Sequence, residues 1–110
     1  MRLFLLCPLL ALLVLLALPW PLQAAPDGAQ LFEAHCVGCH RNGGNVIRRG
    51  KTLRMAALER QGRASEAAIA TIAAAGAGQM SGYGAVLGED GVAAVAGWVW
   101  QQAIADWPQT

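Results

Sequence analysis

An all-α fold is predicted by three features of the sequence. The segments between glycine clusters are dominated by Ala, Leu, Gln and Glu, which favour helix. Strand signal is weak throughout. Cap and stop residues punctuate the helical segments at both ends. With 110 residues and no internal repeat or linker, the chain allows one domain.

The chain opens on an apolar stretch that inflates the hydrophobic content to 55%. Arg2 precedes Leu3-Phe4-Leu5-Leu6-Cys7 and a Leu/Ala/Val run to Ala17; Pro19 and Pro21 break the run, and Leu22-Gln23-Ala24 offers a cleavage site. This pattern predicts a secretory signal peptide over residues 1–24, with the functional domain at 25–110. The run contains Pro8 and is short for a membrane anchor of about 20 residues. Cys7 lies within the leader, away from the cleavage site where a lipoprotein cysteine would sit.

The helices follow in order. Asp27 is placed to cap a first helix from Gly28 to His35, with Gly28 and Phe32 on one face. Residues 41–50, rich in Gly and Asn, read as a loop. Thr52 is expected to cap a short helix running through Arg60 and ending at Gln61-Gly62. Ser65 caps a third helix from Glu66 to Ala75, with Gly76 as its stop. Residues 76–84 form a second glycine-rich loop. Glu89 and Asp90 then sit in the first turn of a last helix, where negative charge suits the dipole. That helix runs to Ala105 with an apolar stripe of Val92, Val95, Ala96, Val99 and Ala103, and Pro108 follows it. Trp98, Trp100 and Trp107 crowd this end of the chain; most such aromatics are core, and an exposed one among them would be weak evidence for an interface.

Cys36-Val37-Gly38-Cys39-His40 is the attachment signature for c-type haem. Two thiols two residues apart reach one edge of a porphyrin and add across its vinyl groups. The following His40 is then set to ligate the iron. A redox Cys-x-x-Cys calls for a βαβ setting that this helical pattern lacks. A structural zinc needs a second ligand pair, and there is none. A chain of this size needs a staple, and covalently attached haem supplies an apolar plate for short helices to pack on.

Three side chains compete for the second axial position. His35 adjoins Cys36 and reads as a surface residue of the first helix; Met55 lies within a helix and reads as core packing. Met80 lies in a glycine-flanked loop that can cross the far face of the ring, so it is the expected sixth ligand. A His40/Met80 pair favours reduced iron and fills both axial sites, which is the chemistry of electron transfer rather than catalysis. An alternative is a haem sensor from which Met80 dissociates to admit a small ligand. A peroxidase would need a distal acid/base pair, and none is evident beside Met80.

Without Arg2, the eight Lys+Arg fall to the number of Asp+Glu, seven. Formal neutrality argues against nucleic acid and leaves no strong net field for steering. Arg41, Arg48, Arg49, Lys51 and Arg54 are local charges that could guide docking.

In order, Gly28-Ala-Gln-Leu-Phe32, Cys36 to His40, Gly43-Gly-Asn-Val-Ile47, Lys51-Thr-Leu53, Ala56-Ala-Leu58, Glu66-Ala-Ala-Ile69 and Val92-Ala-Ala-Val-Ala96 resemble the cytochrome c6 family across nearly all of residues 25–110. The resemblance implies a class I cytochrome c fold, four short helices around one haem c. It implies export to the thylakoid lumen or periplasm of a cyanobacterium or alga, and electron transfer from cytochrome f to photosystem I or to cytochrome oxidase. It assigns Cys36 and Cys39 to the thioethers and His40 and Met80 to the iron. Asn45 would lie in the haem-lining loop, Arg49 and Lys51 near the propionates, and Gly28 and Phe32 against Trp98.

Three positions depart from the family pattern. Ile72 stands where the photosystem donors have glutamine, which should lower the potential and resembles the c6B and c6C branches. Val86 stands where a docking arginine precedes the leucine, and Met80-Ser81 replaces Met-Pro, predicting a looser strap.

Overall fold

The computed structural model describes residues 10–14, 16–17 and 25–108. The predicted cleavage site, Arg2, Cys7 and Pro8 lie outside them. Residues 10–14 and 16–17 are helical, with Leu10, Leu12, Leu13, Val14 and Leu16 exposed. Among the described residues no helix is long and apolar enough to cross a membrane.

Asp27 caps α1 (Gly28–His35) by accepting from the backbone N–H of Ala29 at 3.0 Å and Gln30 at 3.3 Å. A single turn, α2 (Val37–His40), then carries Cys39 and His40 into a 3₁₀ turn, Arg41–Gly43. The third helix starts later than the sequence predicts. Thr52 Oγ1 accepts only a long 3.4 Å bond from Arg54 N, and α3 is Met55–Arg60. The reason is tertiary. Leu53 donates its N–H to the Gly43 carbonyl at 2.7 Å, and its own carbonyl accepts from Trp107 Nε1 at 3.0 Å. Both backbone groups of Leu53 are therefore committed away from a helical ladder.

Ser65 caps α4 (Glu66–Ala75) through a 3.1 Å bond from Ala68 N, and Gly76 ends it. The last element, α5 (Gly84–Ile104), contains a break at Gly88, where φ is 71°. One turn precedes the break, so Glu89 and Asp90 do begin its long section.

α5 is the spine. α1 and α4 both pack on it, and Val92, Val95, Ala96, Val99 and Ala103 are buried on the predicted stripe. α1 crosses very closely. A Cβ on Gly28 would lie 2.7 Å from Trp98 Cβ and collide with the Ala94 carbonyl, so any larger residue would push the helices apart. Phe32 then meets Trp98 and Trp107 at ring-centroid distances of 4.8 and 5.6 Å.

No tryptophan of α5 or its extension is exposed. Trp98 and Trp100 are half-buried, and Trp107 is only 7% exposed. Asp106 and Trp107 adopt left-handed φ of 59° and 51°, which turns the chain back and drops the Trp107 indole into the core. Gly43 (φ 77°) makes room, since a Cβ there would sit 2.5 Å from the indole ring.

Candidate cofactor site

Phe32, Leu58, Ile69, Val95 and Val99 belong to the core, yet they also line a cavity of about 440 Å³. The core therefore forms the floor of this cavity, whose volume lies in the range of roughly 300–1,000 Å³ usual for cofactor sites. Cys36, Cys39, His40, Asn45, Lys51 and Met80 all line it. The chain brings them together from α1–α2, the 44–54 loop and the turn after α4.

His40 is almost fully buried, at 9% exposure. Its Nδ1 donates to the Gly44 carbonyl at 2.8 Å, because a carbonyl can only accept. In the neutral imidazole that bond sets the tautomer and puts the lone pair on Nε2, where a metal can take it. Gly44 in turn is held by its N–H to the Arg41 carbonyl at 2.9 Å. The imidazole is thus oriented by a loop that Leu53 and Trp107 clamp from below.

No disulfide joins Cys36 and Cys39. Cys39 is exposed and Cys36 half-buried, and burial pushes the Cys36 thiol up from its ordinary value. No group of three or more His, Cys, Asp and Glu able to hold a bare metal ion exists among the described residues. A porphyrin suits this donor set better. It needs two thiols at one edge, an imidazole with a free Nε2, a thioether, and an apolar floor, and the cavity offers each.

Met80 sits at the end of a closed turn. Ala77 N donates to the Met80 carbonyl at 3.0 Å and Met80 N to the Ala77 carbonyl at 2.9 Å. Tyr83 N returns to the Ala73 carbonyl of α4 at 2.8 Å. Backbone pairing thus closes the strap at Met80 without a proline after it. Ile72 lines the cavity from α4, while Val86 is 66% exposed outside it.

Asn45 shapes the loop. Its Oδ1 accepts from Ile47 N at 3.0 Å and Arg48 N at 2.8 Å, and its Nδ2 donates to the Lys51 carbonyl at 2.9 Å. This turn sets which cation reaches inward. Arg48 lines the cavity beside Lys51, whereas Arg49 does not, and Gln61 and Arg63 join from beyond α3. His35, expected at the surface, is half-buried on the cavity rim, with its ring centroid 5.9 Å from Tyr83. Met55 packs against the core as expected.

Residues 23–99 match the family model described as cytochrome C oxidase, cbb3-type, subunit III. A cytochrome c6-like protein of Nostoc sp. strain PCC 7120 is 43% identical over 81 residues, covering 74% of this chain and 73% of the relative. The cytochrome c6 of Microcystis aeruginosa is 40% identical over 81 residues, covering 74% of this chain and all of the relative (100%). Among solved structures, cytochrome c6B of Synechococcus sp. WH8102 shares 57% identity with a TM-score of 0.74, over 80% of this chain and 100% of that one. Cytochrome c6C of Synechococcus sp. PCC 7002 shares 49% identity with a TM-score of 0.72, over 74% of this chain and 100% of that one.

Proposed function

This chain belongs to the cytochrome c6 family of electron carriers, with one covalently bound haem c, and from that premise we propose that it shuttles single electrons with iron held between His40 and Met80. The observation carrying the proposal is the convergence of Cys36, Cys39, His40 and Met80 on one apolar cavity.

Haem c supplies a one-electron couple, and the chain's residues tune and shelter it. Cys36 and Cys39 provide the thioethers. His40 presents Nε2, with the Gly44 carbonyl strengthening its donation through the Nδ1 bond. Met80 supplies a soft sulfur that favours the reduced state. Phe32, Leu58, Ile69, Val95 and Val99 exclude water. Lys51 and Arg48 line the cavity as counter-charges for propionates. With His40 and Met80 both committed to iron, no position would remain for substrate, which supports a carrier over an enzyme.

The closest functional reading is a low-potential variant of the carrier. Ile72 lines the cavity where a glutamine amide would polarise the methionine sulfur. Residues 1–24 are proposed as an export signal, and the mature protein as a monomer in the thylakoid lumen or periplasm. Its proposed partners are cytochrome f on the donor side and photosystem I or a terminal oxidase on the acceptor side.

Carbon monoxide tests the closed iron. The ferrous protein should keep its sharp α and β bands under the gas. Rapid conversion to a carbonyl spectrum would favour the sensor reading, in which Met80 dissociates. Redox potentiometry tests the partners: a potential well below that of cytochrome f would remove photosystem I donation by that route.

A further inference from the structure

Met80 is carried by a strap, residues 76–84, that leaves α4 at Gly76 and enters α5 at Gly84. The strap lies backbone against backbone on the last turn of α4. Tyr83 N donates to the Ala73 carbonyl at 2.8 Å, which draws residues 82 and 83 onto the helix. Gly82 is exposed on its outer side, and exposure alone would predict that it tolerates substitution. Its inner side has no clearance. A Cβ there would sit 2.6 Å from the Ala74 carbonyl oxygen, and 2.7 and 2.8 Å from the carbonyl carbon and oxygen of Ala75. Gly76 (φ 78°) shows the same need at the start of the strap, where a Cβ would lie 2.5 Å from the Met80 carbonyl oxygen.

The atoms crowding Gly82 all belong to the main chain, so no rotamer change can make room. One of the two partners has to move. α4 is capped by Ser65, packs on α5 and buries Ile69. The strap is held only by the Ala77–Met80 pairing and the single Tyr83 bond, so it is the softer partner. Ordinary contact begins near 3.4 Å, so a methyl group at Gly82 would push the strap out by about 0.8 Å. That exceeds the roughly 0.5 Å within which a ligating side chain has to be held.

We propose that Gly82 is a positioning residue for the Met80 sulfur, its missing side chain letting the strap seat on α4 at the depth that brings the thioether into the cavity. This rests on the reading of Met80 as the sixth ligand. The strength of the distal bond is then set by the contact between strap and α4, two residues beyond the ligand, and not by Met80 alone. A larger residue at position 82 lifts the strap and raises the fraction of molecules in which Met80 has left the iron.

The test is imidazole titration of the ferric holoprotein, with the weak long-wavelength methionine-to-iron absorption and the midpoint potential read on the same samples. Gly82→Ala should weaken or abolish the band and lower the potential. It should also tighten imidazole binding by about tenfold, because apparent affinity scales with the fraction of iron that Met80 has left. Gly84→Ala should act in the same direction by less, since a Cβ there stands 3.1 Å from the Ala74 carbonyl oxygen. Gly50→Ala is the control: a Cβ at Gly50 meets nothing within 4 Å, so its band and affinity should equal the native ones. A Gly82→Ala protein with native band, potential and imidazole affinity would overturn the proposal even if its unfolding midpoint falls, because Gly82 would then serve packing only. An equal effect from Gly50→Ala would overturn it too. If Gly82→Ala does not fold, Gly84→Ala decides in its place, and native values there would overturn the proposal. A native protein that lacks the band would instead fail the Met80 reading itself, before any variant is made.

Discussion

The two sides of the cavity that carry the proposed ligands are held in different ways. On the His40 side, order comes from distant parts of the chain. The Gly44 carbonyl orients the imidazole, Gly43 receives Leu53, and Trp107 locks Leu53 from the far end of the sequence. Phe32, Trp98 and Trp107 then pack that clamp onto α1 and α5, with Trp98 edge-on to Trp107 at 5.7 Å. On the Met80 side, the bonds are local: Ala77 with Met80 and Tyr83 with Ala73, while Gln79, Ser81 and Gly82 are exposed. Long-range closure makes the His40 side part of the global fold. Local closure leaves the Met80 side free to vary in potential and ligand strength without unfolding the protein.

Mutations on the two sides should therefore read out on different instruments. The largest effect is expected from Phe32→Ala, which removes the centre of the aromatic cluster. It should cost about 3–5 kcal/mol in denaturant unfolding of the holoprotein, an amount comparable with the whole stability of a small domain. Met80→Ala should do the reverse. It should lower the midpoint potential by on the order of 100 mV, where about 59 mV is a tenfold change in relative stabilisation, with little loss of stability.

Trp107→Phe keeps an aromatic ring in the core but removes the indole donor and part of its volume, orphaning the Leu53 carbonyl. It should cost about 1–3 kcal/mol and leave the methionine-to-iron absorption intact. Loss of that absorption in Trp107→Phe would show that the two sides are not independent. Ile72→Gln is expected to raise the potential by a few tens of mV, through an amide near the sulfur and within the usual reach of residues behind a ligand. No shift would remove this account of position 72. The smallest effect is Asp27→Ala, about 1 kcal/mol from the α1 cap, with an unchanged potential.

Local features were legible in the sequence and long-range ones were not. Asp27 and Ser65 cap α1 and α4 where residue type and neighbours predict, because a cap needs only the next three residues. The buried stripe of α5 follows from periodicity alone. Thr52 failed as a helix start because Leu53 answers to Trp107, 54 positions away. Nothing in the sequence distinguishes Arg48 from Arg49, since only the turn built by Asn45 decides which one reaches the cavity. His35 looked exposed because its contact, Tyr83, comes from the end of the strap, far along the sequence.

The account stands most directly on Met80 as the sixth ligand. The decisive measurement is the weak long-wavelength methionine-to-iron absorption of the ferric protein, compared between the native chain and Met80→Ala. The band should be present in the first and absent in the second, with the variant's iron newly open to carbon monoxide when reduced. A native protein without the band, or a variant that keeps it, would contradict the assignment.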